Sequence, residues 1–256
     1  MTRIAHLLTL LRAAAVPALG WFAADWSGGT TLAVYWFETL ASCLLISARV
    51  LLHQHMSPRY GHFNHGASTT DRGAHFSSFV SGFTVTSLAF CAVHAVFLAA
   101  IVLVLTQHGK GALADINWHS IGFGCLSVLA FLIVDFLVDL ISLRKWSFWD
   151  IEQLANRGLS RVIVVHLTII VGFIGIAATG APDALFGVFV VLKTLAALSW
   201  AVPQWEPAAP PKWLSSLMNR IPNVRPGERF EDSWANDRTA EATRRERNER
   251  PWLGRG

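Results

Sequence analysis

Apolar residues in this chain neither alternate nor recur as a single amphipathic stripe; they gather in long runs separated by short polar stretches. Six such runs stand out: Ile4 to Ala24, Thr30 to Leu52, Phe79 to Leu105, Trp118 to Leu143, Val162 to Ala178 and Ala184 to Val202. A hydrocarbon core about 30 Å thick takes roughly 20 helical residues at about 1.5 Å each, so each run has the length of a membrane-crossing helix. Trp21, Trp26, Trp118, Trp146, Trp149, Trp200 and Trp205 sit at or near the ends, where an amphipathic ring suits the headgroup region. The first run also resembles a secretory signal, with Arg3 before it and small residues at Ala23 and Ala24. Arg12 interrupts its apolar core, which fits a tilted or interface-lying first helix better than a signal sequence.

The stretches between the runs differ in kind. Trp146 to Arg161 mixes aromatic and aliphatic residues with Asp150, Glu152 and Arg157, a pattern that predicts an amphipathic helix lying in the interface. Pro203 to Pro211 stops the last run, and Trp213 to Met218 reads as another interfacial turn. Beyond Pro222, interleaved Arg, Glu, Asp and Asn leave almost nothing to bury, which predicts disorder. The expected fold is an all-α, polytopic membrane bundle of about six transmembrane helices over residues 1–202, with a largely disordered charged tail over 203–256.

Composition supports this division. The chain is 53% apolar and only 15% charged, against about 25% charge in soluble domains. Residues 203–256 hold 10 of the 21 Lys and Arg and 8 of the 17 Asp and Glu. Cys43, Cys91 and Cys125 lie within apolar runs without a second Cys at metal or redox spacing, and read as small buried hydrophobes. The formal charge of +4 is topogenic rather than a sign of nucleic-acid binding. With six crossings, the side carrying both termini and the loops 53–78 and 144–161 holds 19 Lys and Arg, and the other side holds only Lys110. Both termini are therefore expected on the cytoplasmic side of the membrane.

Scarce charge makes each ionisable group inside the runs conspicuous, because insertion of one costs about 2.5 to 3.5 kcal/mol. These groups are Glu38, His94, Asp135, Asp139, His166 and Lys193. Counting helix rise from the outer surface, Glu38 lies roughly 12 Å down the second run and Lys193 roughly 14 Å down the sixth, at one level. Asp135 and His166 both fall in the inner third, Asp139 reaches the cytoplasmic boundary with Arg49 and Arg144, and Asp135 and Asp139 share one helix face. Two readings follow. One is a set of structural pairs, Glu38 with Lys193, Asp135 with His166 and Asp139 with a rim arginine. The other is a polar cluster of Glu38, Lys193, Asp135, His166 and Asp139 lining a path for a proton, small ion or polar solute.

Metal chemistry is weighed beside these. His94 and His166 lie roughly 14 Å apart along the membrane normal, too far for two ligands of one haem. Asp135, Asp139 and His166 would supply three zinc ligands, but no HExxH pair accompanies them. In the loop, His53-x-His55 and His62-x-x-His65 have short ligand spacings, yet Ser57, Pro58, Gly61, Asn64 and Gly66 are those of a solvated loop. No motif names a cofactor.

The chain resembles an uncharacterised family of prokaryotic integral membrane proteins, a domain of unknown function. The likeness rests on Tyr35-Trp36-Phe37-Glu38, on Arg161 leading into Val165-His166-Leu167-Thr168, and on Leu192-Lys193-Thr194-Leu195. Members place an Asp four residues after the lysine, where Ala197 stands here, which makes Glu38 the expected partner of Lys193. The resemblance implies the membrane fold and the prominence of Glu38, His166 and Lys193, and carries no activity. The function expected is an integral membrane protein that binds or conducts a small ion, proton or polar solute through its polar cluster. The alternatives are a membrane-embedded metal-dependent enzyme, or a scaffold whose tail recruits a cytoplasmic protein partner. The lipid bilayer is the one partner the sequence names directly.

Overall fold

A computed structural model describes residues 15–63, 78–107, 116–179, 191, 207, 209–220, 227 and 229–253. They are helical almost throughout, with no strand among them and one isolated bridge between Arg59 and Pro251. After a helical segment at residues 15–23 come α1 (Gly28–Met56), α2 (Tyr60–Phe63), α3 (Phe79–Gln107), α4 (Trp118–Leu143), α5 (Phe148–Thr179), α6 (Lys212–Met218) and α7 (Phe230–Glu249). Among the described residues three helices are long and apolar enough to cross a membrane: α1, the Phe79–Ala100 part of α3, and α4. They coincide with the second, third and fourth predicted spans. The first and sixth spans lie largely outside the described residues.

The helix α1 is the hub. It packs against α4, α3 and α5, and half of its most apolar stretch is buried inside the protein against 22% for α3 and α4. Its start is set by Ser27, whose hydroxyl accepts from the Thr30 amide at 3.2 Å while Thr31 Oγ1 donates to the Ser27 carbonyl. Thr30 Oγ1 in turn accepts from the Asn117 amide, and Asn117 caps α4 by accepting from Ser120 N at 3.0 Å. One polar knot thus begins two long helices. Deeper in, Gly124 gives α4 its close approach to α1: a Cβ there would meet Trp26 and Val34.

Small polar groups tie α1 to α3. Trp36 Nε1 donates to the Cys91 carbonyl at 2.9 Å, and Thr84 Oγ1 donates to Ser47 Oγ at 2.9 Å. Such bonds weigh most where no water competes. Cys43 and Cys91 are buried beside Val162, as small hydrophobes, and Cys125 is partly buried.

Two expectations give way here. The segment 146–161 is not a separate interfacial helix, because α5 runs without a break from Phe148 to Thr179. Ser147 and Asp150 form a reciprocal capping box, Ser147 N to Asp150 Oδ2 at 2.9 Å and Asp150 N to Ser147 Oγ at 3.1 Å. Phe148, Ile151, Ala155 and Val162 then bury one stripe along α5, so its amphipathic face meets protein. The second is the tail, where residues 230–249 form a helix despite having little to bury. Its charges do the packing. Arg244 grips the buried Glu152 of α5 with both guanidinium nitrogens, and Arg245 lies over the Trp149 ring at 3.3 Å. Glu249 Oε1 accepts from the Trp149 amide at 2.8 Å.

Candidate functional site

Four residues before His53 on α1 stands Arg49, buried and pointing at α4. Its Nη2 reaches Asp135 Oδ2 at 2.8 Å, its Nε reaches Asp139 Oδ2 at 2.9 Å, and its guanidinium carbon lies 5.2 Å from the Phe136 ring centre. All three charged side chains are almost wholly shielded from solvent. The spacing of Asp135 and Asp139 explains the grip: residues four apart stand above one another on a helix, and a guanidinium is wide enough to meet both. The predicted pairing of Asp139 with a rim arginine is met by Arg49, which also takes Asp135. The His166 backbone lies in α5, and its side chain is outside the described residues, as is Lys193 altogether. Glu38 is buried on α1, eleven residues before Arg49. The geometry therefore joins Asp135 and Asp139 of the predicted cluster and brings in Arg49. The sequence counts Arg49 as a topogenic charge and, with Arg144, as a rim arginine near Asp139; its contact with Asp135 is what the sequence does not show.

One turn along α1 the chemistry changes. His53 and His62 are fully buried, with His53 Nδ1 3.1 Å from His62 Nε2 and the rings 5.1 Å apart. The solvated loop expected for these histidines is instead a packed layer, because α2 folds back and seats His62 edge-on to Phe148 at 4.9 Å. Gly61 permits this approach, since a Cβ there would enter the Phe148 ring. The proton positions follow from the fixed ends of the chain. The Arg59 amide must donate, so His62 Nδ1 accepts at 3.0 Å; the Trp146 carbonyl must accept, so His53 Nε2 donates at 3.0 Å. That leaves His62 Nε2–H donating to His53 Nδ1. Both rings are neutral, and all four nitrogens are used. Burial lowers the His62 pKa from 6.5 to about 4, helped by the neighbouring His53.

These hydrogen bonds leave His53 and His62 no ring nitrogen for a metal as they stand. His55 is exposed and bonds the Leu51 carbonyl, and His65 lies outside the described residues. Among the described residues no group of three His, Cys, Asp or Glu is arranged to hold a metal ion.

The tail fastens to the far side of α2. The Arg59 guanidinium donates to the Glu249 carbonyl at 3.1 Å, Tyr60 N to the Arg250 carbonyl at 2.8 Å, and Trp252 N to the Pro58 carbonyl at 3.1 Å. Trp252 stacks on Phe63 at 4.7 Å. Within α7, hydrogen bonds from Arg244 and then Arg245 hold the Glu241 carboxyl down to about 2, and Glu241 and Glu152 raise the Arg244 pKa. The short turn α2 is thus clasped between the histidine layer and the end of the tail.

Comparison with curated proteins and with solved structures returned no match. A family model described as a family of unknown function, DUF6498, matches residues 1–213, and the chain belongs to that family. This agrees with the resemblance carried by Tyr35 to Glu38, by the stretch from Arg161 to Thr168 and by Leu192 to Leu195. The matched region ends within α6, so the clasping helix α7 lies beyond it.

Proposed function

We propose that this DUF6498 member is a multi-pass protein of the prokaryotic inner membrane, with six spans and cytoplasmic termini, whose inner polar cluster takes up a proton or small cation. Three membrane-capable helices and the one-sided distribution of Lys and Arg support the topology. The observation that carries the function is the burial of two carboxylates on one face of α4, both met by one guanidinium, at 2.8 and 2.9 Å. Carboxylates kept inside an apolar bundle are the kind of group that proton and ion paths through membranes use. Asp135 and Asp139 act as the receiving groups, and Arg49 positions both. Glu38, Lys193 and His166 extend the cluster along the bundle in this reading.

The test uses the full chain in proteoliposomes and detergent. Infrared difference spectra between neutral and alkaline pH are expected to show a protonated carboxyl that disappears in Asp135→Asn or Asp139→Asn. A pH-sensitive dye inside the vesicles, or a titration with sodium and potassium, reports uptake. If neither a titrating carboxyl nor any cation response is found, and both Asn variants behave as wild type, the triad is a structural clamp and the proposal fails.

A further inference from the structure

Outside the membrane-capable helices, the described residues form a cleft of 480 Å³ between α6 and the start of α7. Its walls are Lys212, Ser215 and Asn219 from α6 and Arg229, Glu231 and Trp234 from the α7 side. Lys212, Ser215 and Asn219 follow the three-to-four residue rhythm of one helical face, so α6 turns this whole face to the cleft. Charge in the lining is two cations against one acid. Glu231 is already engaged, accepting from Asn219 Nδ2 at 3.1 Å and facing Arg229 Nε at 3.7 Å. The Trp234 indole N–H is buried and has no acceptor among the described residues. A buried donor of this kind costs about 1 to 3 kcal/mol unless something accepts from it.

Roughly 100° and 140° round α6 from Lys212, Trp213 and Leu217 stand 67% and 51% exposed. They are four residues apart and form one apolar edge. This edge follows the apolar stretch that ends at Val202 after only the proline-rich break, and an exposed tryptophan beside a lysine is characteristic of a membrane interface. Cations, an unused N–H donor and a flanking apolar edge are the parts needed to hold a phosphate with acyl chains attached.

We propose that the cleft between α6 and α7 binds the phosphate headgroup of an anionic phospholipid, with Trp213 and Leu217 seated in the leaflet alongside it. The proposal rests on the membrane reading above, and is independent of whether the buried triad takes up a cation. Lys212 and Arg229 supply the charge, the Trp234 N–H donates to a phosphate oxygen, and the lipid's tails leave along the Trp213–Leu217 edge. Bound lipid would then bridge α6 to α7 and so tie the tail helix to the membrane surface.

The experiment uses full-length protein carrying 5-fluorotryptophan, reconstituted in nanodiscs, with the Trp234 resonance assigned through Trp234→Phe. Replacing part of a phosphatidylcholine bilayer by phosphatidylglycerol is expected to shift the Trp234 signal in a saturable way. In Lys212→Gln/Arg229→Gln the lipid dependence should move to about 30-fold higher phosphatidylglycerol content, from two lost cation contacts. Because these side chains are on the surface, the variant keeps its fold, and unchanged signals from the other tryptophans check this. Inorganic phosphate added to phosphatidylcholine nanodiscs should leave Trp234 unmoved. An equal shift with free phosphate would overturn the lipid assignment in favour of a soluble anion. No shift with either probe would overturn the site itself. A spin label at Leu217→Cys, with the three native cysteines replaced by serine, gives an independent reading: greater accessibility to oxygen than to a water-soluble nickel chelate is expected, and the reverse ranking would remove the leaflet contact.

Discussion

Arg49 and His53 are neighbours one turn apart on α1, yet the layers they build solve burial in opposite ways. Around Arg49 the polar groups are charged and answer one another by ion pairing, one guanidinium to two carboxylates. Around His53 the two buried imidazoles are neutral, and the layer is satisfied by a directed chain of donors and acceptors from the Arg59 amide to the Trp146 carbonyl. A charged layer depends on the balance of its charges, so removal of one is felt by the others. A neutral layer with every nitrogen used resists protonation, because an added proton would confront an existing N–H. The contrast separates a layer held by charge from a layer held by directed hydrogen bonds, which also seats α2 beside the tail.

The largest effect should come from removing the hub of the charged layer. Arg49→Leu leaves two buried carboxylates facing each other and is expected to cost about 3 to 5 kcal/mol, seen as a large fall in thermal midpoint in detergent. Adding Asp135→Asn and Asp139→Asn to that variant should restore most of the loss. Were Arg49→Leu alone to be harmless, the contrast between the layers would collapse.

Breaking the neutral layer should cost less. His62→Phe keeps the packing on Phe148 but strands the Arg59 amide and His53 Nδ1, for an expected loss of about 2 to 3 kcal/mol in the same assay. The layer also predicts an acid limit. With the His62 pKa lowered from 6.5 to about 4, the unfolded chain binds the extra proton first, so stability falls as pH drops from 6.5 towards about 4 and levels off below. Melting curves across this window should show a pH dependence in wild type that is reduced in His62→Phe and retained in Lys212→Gln.

The smallest effect belongs to the tail. Arg244→Ala deprives buried Glu152 of its bidentate partner, but Arg244 is itself about a third exposed, and the expected cost is about 1 to 2 kcal/mol. Hydrogen exchange should accelerate across 230–249 while α1 and α4 stay protected. Acceleration in α1 as well would mean that tail and bundle form one cooperative unit, erasing the distinction between a fastened strap and a membrane core.

The membrane-capable helices α1, α3 and α4 were legible because apolar run length alone marks them, and their ends lie close to the predicted limits. Asp135 and Asp139 were legible as a pair because helical spacing puts them on one face. Arg49 was legible only as one of two rim arginines within reach of Asp139, because a basic residue near a span end has two explanations, topology and pairing, and only the opposite helix distinguishes them. The histidines 53 and 62 were read as solvated because glycine, serine and proline around them signal a loop, while the return of α2 onto Phe148 is a tertiary event with no local mark. The helix α7 escaped for a related reason: a segment poor in apolar residues was taken to have nothing to pack, whereas Arg244 and Arg245 pack on Glu152 and Trp149 nearly a hundred residues away.

By itself the sequence determined where helices long and apolar enough for a bilayer occur and which few ionisable groups they carry, since both depend on local composition and on helix rise. Tertiary structure alone decided which of those groups meet. Pairing of Arg49 with both aspartates, neutrality of the histidine layer and docking of the tail each require side chains from separate helices to converge, and the energy that selects them arises only when water is excluded between those helices.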